Sequence, residues 1–513
     1  MFFLNAEVRF LFRRKPFGHF REIRKSVHPP DVTDSIRERF SGSIGRRSGD
    51  ARDIRNKQLT GSRVHENARF PPASLETALR STSAKQETLS DVDPAQETLS
   101  YPLELLVRLR AFEALRHREY RLLWYGQVFA SMGTWMDQVT RGWLIYELTN
   151  SALQLGMVRG IQAIPFLLLS PIAGSTADRY SRKFQVVGAQ FANGGLYAVT
   201  AVLIFTALIK PWHVYVTAFL MACVQVFLQP SRAAMISDTV PAKTLTNAIG
   251  LNAVVFNMAR STGPALSGLL ISIFGTGVSY SVQAVFFLMA TVWTMQMSTS
   301  RYHSPLPDGE TAKESFGQSI IEGWKFSWRK LEVRSGILVV IIAALFMIPF
   351  STLLPVFARD LLHVGAQGQG LLLTSMGVGA LGSSLMIASL GDRMPRGLLM
   401  IGGVALYGVL VMIFSFSPWF SLSMVLMAII GICHVSSHAL VQTVIQTYSP
   451  PEFRGRTIAI FHMTQVLLLL GGMLVGALSA LMGAPVAAAS MSMIGTLCMI
   501  MLYIAAPKAR EIK

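Results

Sequence analysis

Twelve apolar segments of membrane-spanning length restrict the possible folds of this sequence more than any other feature. They form two groups of six, separated by a polar stretch from about 300 to 334. The first group lies at about 122–147, 152–174, 184–209, 213–236, 247–274 and 278–298. The second group lies at about 335–358, 367–390, 397–416, 419–446, 457–482 and 484–506. Each is close to the ~20 residues that a helix needs to cross ~30 Å of hydrocarbon. The sequence therefore predicts an all-α membrane protein with twelve transmembrane helices.

The composition supports this class. Of the 513 residues, 51% are hydrophobic and 15% are charged, whereas about 25% are charged in an average soluble domain. The formal net charge is +17, but the positive residues lie in the first hundred residues and in short loops. That placement fits orientation in a membrane better than DNA binding, so no nucleic-acid partner is predicted. The three cysteines lie inside apolar runs without metal-ligand spacing, so neither a disulfide framework nor a metal site is indicated.

Changes in composition along the chain predict five regions. Residues 1–110 are rich in Arg, Ser, Pro and acidic residues and lack a sustained apolar period, which predicts a disordered basic tail. Residues 111–298 form a first six-helix bundle, 299–334 a cytoplasmic linker and 335–506 a second six-helix bundle. Residues 507–513 form a short cytoplasmic tail.

The charges of the loops predict an orientation. Alternate connections hold most of the basic residues, among them Arg179, Arg182, Lys183, Lys243, Lys325, Arg329, Lys330, Arg454 and Lys508. The connections on the opposite side hold little beyond Lys210 and Arg359. By the positive-inside rule, both termini and the linker are cytoplasmic, and we expect the protein in the plasma membrane, the inner membrane of a bacterium.

The two halves of the sequence resemble each other weakly. The loop after the second segment contains Asp178, Arg179 and Arg182, and the loop after the eighth contains Asp392, Arg393 and Arg396 in the same spacing. Internal repeats are a common plan of secondary transporters. The pattern predicts a duplicated six-helix unit.

The first of these loops carries a family resemblance. It reads Gly174-Ser175-Thr176-Ala177-Asp178-Arg179-Tyr180-Ser181-Arg182-Lys183, and it resembles the cytoplasmic loop signature of the major facilitator superfamily. The resemblance extends from about residue 111 to the C-terminus. In the second loop Ala388 stands where the leading glycine belongs, so that copy departs from the pattern.

Shorter motifs are similar to the branch of the superfamily that contains the enterobactin exporter and the macrolide-efflux proteins, the transmembrane secretion effectors. They are Arg121-Leu122-Leu123-Trp124, Gly133-Thr134-Trp135-Met136, Leu148-Thr149-Asn150-Ser151-Ala152, Asn257 with Arg260 before Gly263-Pro264, and Arg454-Gly455-Arg456. The resemblance implies two pseudo-symmetric six-helix bundles and favours export over import.

One carboxylate lies well inside a predicted span. Asp137 and Arg141 are four residues apart and share a helix face, and Arg159 enters the second span at a similar depth. An ionisable side chain in hydrocarbon costs about 2.5–3.5 kcal/mol on insertion scales, so each is a functional candidate. We expect Asp137 to respond to protons by changing its pairing with Arg141 or Arg159. The alternative is a permanent ion pair that fixes the first two helices.

Other polar residues within the spans are candidates for the wall of a substrate cavity. They are Gln225, Gln229, Asn257, Arg260, His434, His438 and Gln442. The histidines and Gln442 recur every four residues, so they form one stripe of groups that could relay protons or contact substrate. Two histidines four apart could also begin a metal site, but no third ligand is near in the sequence. For Arg260 the alternative is a structural role, with hydrogen bonds to backbone carbonyls beside the Gly263-Pro264 kink.

The sequence contains no phosphate-binding loop, nucleophile elbow or zinc signature. We therefore expect no enzymatic activity and no cofactor. The predicted function is proton-driven export of a small hydrophobic or amphipathic molecule, drug-like or siderophore-like, by a monomer whose partners are its substrate, protons and membrane lipids. The alternatives are a flippase for lysolipids or lipids and a membrane receptor or scaffold that transports nothing.

Overall fold

The structure is a computed structural model that describes residues 110–298, 316–390, 396–510 and 512. These parts of the chain consist of helices joined by short connections, and no β-strand occurs in them. The predicted N-terminal tail up to residue 109 lies outside the described residues, as do residues 299–315 of the linker and the loop 391–395.

Six long helices form the first half. A short 3-10 helix, Arg110–Arg116, precedes them, and extended backbone at His117 separates it from the first long helix. The long helices are α1 (Arg118–Thr149), α2 (Ala152–Arg179), α3 (Arg182–Phe205), α4 (Pro211–Thr239), α5 (Leu245–Phe274) and α6 (Thr276–Met295). Each coincides with one apolar segment of the sequence.

Six more helices follow an amphipathic linker helix, Phe316–Arg329. They are α7 (Leu331–Leu361), α8 (Gly365–Leu390), α9 (Arg396–Ser415), α10 (Phe420–Tyr448), α11 (Pro451–Met482) and α12 (Ala484–Ala505). The linker helix packs on the start of α11, where Arg456 forms a 2.6 Å ion pair with Glu322.

Helix α7 is irregular along its second half. A π-helical turn at Ala343–Met347 is followed by a 3-10 turn at Ile348–Leu353, and a second π-helical turn occupies Phe357–Leu361. Pro349 and Pro355 lie in this stretch. A proline has no N–H to donate and its ring clashes with the carbonyl four residues earlier, so the regular hydrogen-bond ladder cannot continue through it.

Ten of the helices are long and apolar enough to cross a membrane by length and composition alone. Helices α1 and α5 are not among those ten, because Asp137 and Arg141 in α1, and Asn257 and Arg260 in α5, lower their mean hydropathy. Both still pack inside the first bundle, against each other, and α1 also packs on α6.

The two halves repeat one packing arrangement. In the first half α2 packs on α4 and α3 packs on α6, and in the second half the corresponding pairs are α8 with α10 and α9 with α12. Adding six to each helix number converts one set of contacts into the other. The prediction of two pseudo-symmetric six-helix bundles is therefore confirmed.

Because successive helices alternate in direction, the connections between them lie at two opposite ends of the bundles. We call the end with the α1–α2 turn the Asn150 end, and the end with the α2–α3 turn the Arg182 end. The halves meet along two seams, α2 against α11 and α5 against α8.

Glycines bring the backbones into contact at both seams. A Cβ atom on Gly476 of α11 would lie 2.6 Å from the Cα of Gly156 in α2. A Cβ atom on Gly268 of α5 would lie 2.6 Å from the carbonyl oxygen of Ala366 in α8. All four residues lie toward the Asn150 end, so the two halves are closed against each other there.

Candidate functional site

The Asp137–Arg141 pair forms within α1. Arg141 donates to both carboxylate oxygens of Asp137, from Nε at 2.9 Å and from Nη2 at 2.8 Å. The arginine side chain is 4% exposed and that of Asp137 is 17% exposed. Asp137 and Arg141, which are four residues apart in the sequence, thus form a nearly buried ion pair in the structure.

This pair faces a cavity between the two halves, which we call the Asp137 pocket. It is small and partly open, and its wall includes Asp137, Arg141 and Arg159 from the first half, and Ser351, Thr352 and Gln369 from the second. The structure therefore brings together the three residues predicted for proton coupling and places them where the halves meet.

Arg159 lies at the α2–α11 seam. Its side chain packs against Gly472, where a Cβ atom would lie 2.9 Å from the arginine Cγ, and it donates to Gln162 at 3.3 Å. Within the described part of the chain it forms no ion pair with Asp137. The carboxylate of Asp137 is thus bound to Arg141, while Arg159 lines the same pocket.

Gln369 of α8 is a pocket residue that sequence reasoning missed. It is 1% exposed, and its Oε1 has no hydrogen-bond partner among the described residues. A lone amide in an apolar segment gave no signal in the sequence, because its position opposite Asp137 depends on how the halves pack.

Arg260 lies at the middle of α5. Its guanidinium stands over the ring of Trp135 at 5.5 Å, a cation–π contact. No carboxylate forms an ion pair with it in the described ranges.

The two histidines line a second cavity, which we call the Tyr407 pocket. It is a small, partly open pocket between α7, α9 and α10, with valine and alanine side chains around Tyr407, His434, Ser437 and His438. The histidine rings lie 6.2 Å apart between centroids. Tyr407 is 1% exposed and Ser437 is 2% exposed, and neither hydroxyl has a hydrogen-bond partner among the residues that the structure describes.

The remaining predicted cavity residues are separate from these pockets. Gln229 accepts a hydrogen bond from Arg232 at 2.9 Å, and Asn257 donates to the Ala253 carbonyl at 2.9 Å. Gln225 and Gln442 are half-buried on α4 and α10. Their assignment to a substrate cavity stays a prediction.

The predicted loop motif at the Arg182 end is described only in part. Arg182 forms a 2.8 Å ion pair with Asp238 at the end of α4, and Lys183 donates to the Met297 carbonyl. The surroundings of Gly174, Asp178 and Arg179 are not described, and Asp392 and Arg393 lie outside the described residues. Arg396 begins α9.

A cross-half contact at the Asn150 end was not predicted. The Tyr146 hydroxyl of α1 donates to Asp360 of α7, and Arg359 donates to the Asn150 side chain at 2.6 Å. Arg359 also stands over the Tyr146 ring at 5.2 Å. We call these four residues the Tyr146 latch, and they reinforce the closure made by the glycine seams.

A metal site is not apparent in this arrangement. No group of three or more His, Cys, Asp or Glu side chains that could hold a metal ion is found in the described ranges. The imidazole groups of the two histidines can form hydrogen bonds and exchange protons near neutral pH.

A family model described as transmembrane secretion effector matches residues 109–512, almost all of the helical part of the chain. The chain belongs to this family. Transmembrane secretion effectors are transporters of the major facilitator superfamily, so the predicted resemblance is confirmed. Membership in a transporter family also agrees with the prediction that the chain is not an enzyme.

Two efflux proteins are among the curated relatives of this chain. The multidrug efflux pump Tap of Mycobacterium tuberculosis is 24% identical over 349 residues, which cover 66% of this chain and 81% of the pump. Macrolide efflux protein A of Streptococcus pyogenes is 22% identical over 369 residues, which cover 71% of this chain and 89% of that protein.

Solved structures show the same fold. The crystal structure of a bacterial homologue of the human lysosomal transporter Spinster, in an inward-facing and unoccupied conformation, matches with a TM-score of 0.59 at 14% sequence identity. The match covers 79% of this chain and 97% of that one. The transmembrane secretion effector is therefore a multi-pass membrane protein of the major facilitator fold that acts on a small-molecule substrate.

Proposed function

We propose that this protein is a proton-driven exporter of small hydrophobic or amphipathic molecules, drug-like or siderophore-like, in the plasma membrane. It works as a monomer and alternates between a state closed at the Asn150 end, as in the structure, and a state closed at the Arg182 end. The efflux functions named for Tap and for macrolide efflux protein A support export.

The single observation that carries the proposal is the Asp137–Arg141 pair in the Asp137 pocket. A buried ion pair within one rigid helix could be purely structural, but this one faces the other half of the molecule. When Asp137 takes up a proton it loses its charge, and Arg141 loses its partner. Arg141 and Arg159, both of the first half, are then two unneutralised cations covered by the second half. Burying an unneutralised charge is costly, so admission of water by separation of the halves becomes favourable there.

Loop charges support the orientation. Arg182, Lys183 and Lys243 lie at the Arg182 end, as do Lys325 of the linker helix and Arg454 of α11. This asymmetry favours a cytoplasmic location for the Arg182 end and for both termini. Protons then reach Asp137 from outside when the Asn150 end opens, and leave to the cytoplasm in the state of the structure.

The test is transport into inverted membrane vesicles that contain the protein. A panel of fluorescent hydrophobic dyes and labelled siderophores is measured with and without an imposed proton gradient. We expect gradient-dependent uptake of at least one compound, and its loss in Asp137→Asn at unchanged expression. Glu147→Gln is the matched control, because Glu147 is an exposed carboxylate of the same helix outside the pocket.

Each outcome has a distinct meaning. Uptake that persists with its gradient dependence in Asp137→Asn would assign Asp137 to structure. Uptake that ignores the gradient in the unmodified protein would contradict proton coupling. If no compound of the panel moves, the export proposal fails for these classes, and a lipid flippase or a non-transporting receptor takes its place.

A further inference from the structure

The linker helix Phe316–Arg329 presents a row of exposed apolar side chains. Ile321 is 55% exposed, Trp324 is 44% exposed and Trp328 is 42% exposed. Their spacing of three and four residues places all three on one side of the helix, and we call them the tryptophan face. The two indole rings stack, with centroids 5.3 Å apart and planes inclined by 15°. A cluster of large exposed apolar groups is typical of a surface that meets a membrane or a partner.

A different side of the linker helix is bound to α11. Gly323 and Ser327 are buried, and a Cβ atom on Gly323 would lie 2.8 Å from the Cβ of Arg456. Phe326 stacks on Phe453 with ring centroids 4.7 Å apart. These contacts fix the rotation of the helix about its own axis, so the tryptophan face is held outward from α11.

Positive charge borders the tryptophan face. Lys325 and Arg329 are exposed, and each directly follows one of the two tryptophans in the sequence. One residue advances an α-helix by about 100°, so both basic side chains lie along one edge of the face. Neither forms an ion pair in the described ranges, whereas Glu322, the acidic residue of this helix, is already paired with α11. The charge beside the face is therefore uncompensated and positive.

The position of the linker helix brings this surface close to the membrane. The helix ends at Arg329, and α7, a membrane-spanning helix, begins at Leu331 after extended backbone at Lys330. Tryptophan side chains are enriched at the boundary between hydrocarbon and head groups, and basic side chains are attracted to anionic lipids. An occupant of this surface must offer an apolar layer with negative charge beside it. A bilayer that contains anionic phospholipids offers both.

We propose that the tryptophan face docks on the surface of the membrane that the protein spans, and that Lys325 and Arg329 bind the phosphate groups of anionic phospholipids there. The three apolar side chains enter the boundary between head groups and acyl chains. The inference goes beyond the proposed transport function and depends only on the location of the chain in a membrane. Because the linker helix is bound to α11 and is followed directly by α7, docking attaches the start of the second half to the membrane surface.

A fluorophore on the tryptophan face tests whether the face contacts lipid. The full-length protein carries an environment-sensitive fluorophore at Ile321→Cys, in a background in which Cys223, Cys433 and Cys498 are replaced. It is reconstituted in vesicles of phosphatidylcholine alone, or of phosphatidylcholine and phosphatidylglycerol in equal parts. With phosphatidylglycerol we expect emission at a shorter wavelength and less quenching by acrylamide, which is uncharged and stays in water.

A titration measures the contribution of the basic side chains. Short-chain phosphatidylglycerol is added to the labelled protein in micelles of an uncharged detergent, and short-chain phosphatidylcholine is added in parallel. Lys325→Gln and Arg329→Gln should each weaken binding of phosphatidylglycerol about fivefold, the contribution of one positive charge near an anionic surface. The double variant should lose about 25-fold. Lys325→Arg keeps the charge and should bind as the unmodified protein does.

The apolar part of the surface has its own variant. Trp324→Ala removes apolar area and leaves both basic residues in place, so it should weaken binding of both lipids and keep the preference for phosphatidylglycerol.

Two controls match these variants. Lys243→Gln removes an exposed positive charge at the same end of the molecule, and Trp419→Ala removes an exposed tryptophan at the opposite end. Neither residue belongs to the linker helix, so the lipid response of the fluorophore should be unchanged in both.

Each result decides for or against the inference without reference to transport. A response that prefers phosphatidylglycerol and is lost in the Lys325→Gln, Arg329→Gln double variant would support it. Full access of acrylamide to the fluorophore in both kinds of vesicle would overturn it, and a protein partner would then be the occupant to seek. Equal binding of the two lipids, or an unchanged affinity in the double variant, would overturn it as well, because the basic residues would then have no part in docking.

Discussion

A single methyl group at the α2–α11 seam should shift the molecule away from the state in the structure. In Gly476→Ala the new carbon would lie 2.6 Å from the Gly156 Cα and 2.8 Å from the Ala152 carbonyl oxygen. Carbon atoms in contact are normally about 3.5–4.0 Å apart. Both neighbours are backbone atoms, which cannot rotate out of the way, so α2 and α11 must move apart.

The size of the effect follows from this overlap. Forcing an extra carbon into a well-packed contact costs about 1–3 kcal/mol. The cost applies only while the Asn150 end is closed, because the helices separate there in the opposite state. With about 1.4 kcal/mol for each factor of ten, the ratio of closed to open molecules should fall by about 5- to 150-fold.

The matched control is Gly195→Ala in α3. A Cβ atom on Gly195 would have no neighbour within 4 Å. Replacing a glycine by alanine inside a helix also stabilises the helix itself by about 1 kcal/mol. That effect is common to both variants, so the difference between them reports the seam alone.

Distances between spin labels at positions 208 and 419 measure the outcome. Leu208 and Trp419 lie at the Asn150 end, one in each half, and are 61% and 69% exposed. The labels require a background in which Cys223, Cys433 and Cys498 are replaced. Gly476→Ala should add a longer distance that Gly195→Ala lacks. Identical distance distributions in the two variants would refute the reasoning, because the overlap would then be absorbed without opening.

Three further predictions concern single contacts. Arg182→Ala should lower the free energy of unfolding by about 1 kcal/mol, because a partly exposed ion pair with Asp238 is lost. Chemical unfolding in detergent of both single variants and of the double variant with Asp238→Ala should give a coupling energy above zero. Asp360→Asn weakens the hydrogen bond that Tyr146 donates to residue 360. The population of molecules open at the Asn150 end should therefore rise by about 3- to 10-fold. An unchanged distance between the spin labels would argue against the Tyr146 latch. Thr140→Val breaks a buried hydroxyl network between α1, α5 and α6 and should cost about 1 kcal/mol, at most about 2, with no change in the distance between the spin labels.

The sequence predicted the helices well because the hydropathy of a segment largely decides whether it is inserted into a membrane. Segment lengths, the division into two halves and the internal repeat all followed from the order of apolar and polar residues. Helices α1 and α5 show the limit of hydropathy, since Asp137 and Arg260 make them too polar for a criterion based on composition. The sequence analysis nevertheless counted 122–147 and 247–274 among the apolar segments of membrane-spanning length, because their charged residues are few and isolated.

The candidate site was predictable only within single helices. The pairing of Asp137 with Arg141 followed from a spacing of four residues, and the structure has this pair. The approach of Arg159 to Gly472, and of Gln369 to the same pocket, depends on contacts between segments that are far apart in the chain. No local pattern encodes such contacts, so one sequence read alone could not supply them.

The histidine stripe illustrates the same limit. The spacing of His434 and His438 correctly placed both on one side of α10, where they line a common pocket. It could not reveal that Tyr407 and Ser437 would join them with unpartnered hydroxyls. The polarity of that pocket is set by residues that look ordinary in the sequence.

The π-helical turns of α7 have a mechanical consequence. In a π turn the backbone hydrogen bond reaches five residues along the chain instead of four, so the regular α-helical ladder is interrupted where such a turn occurs. Arg359 and Asp360 lie within the second π turn, Phe357–Leu361, whereas the first part of α7 is regular and packs against α10. The contacts that close the Asn150 end are therefore carried by a segment that no continuous α-helical ladder ties to the packed part of α7.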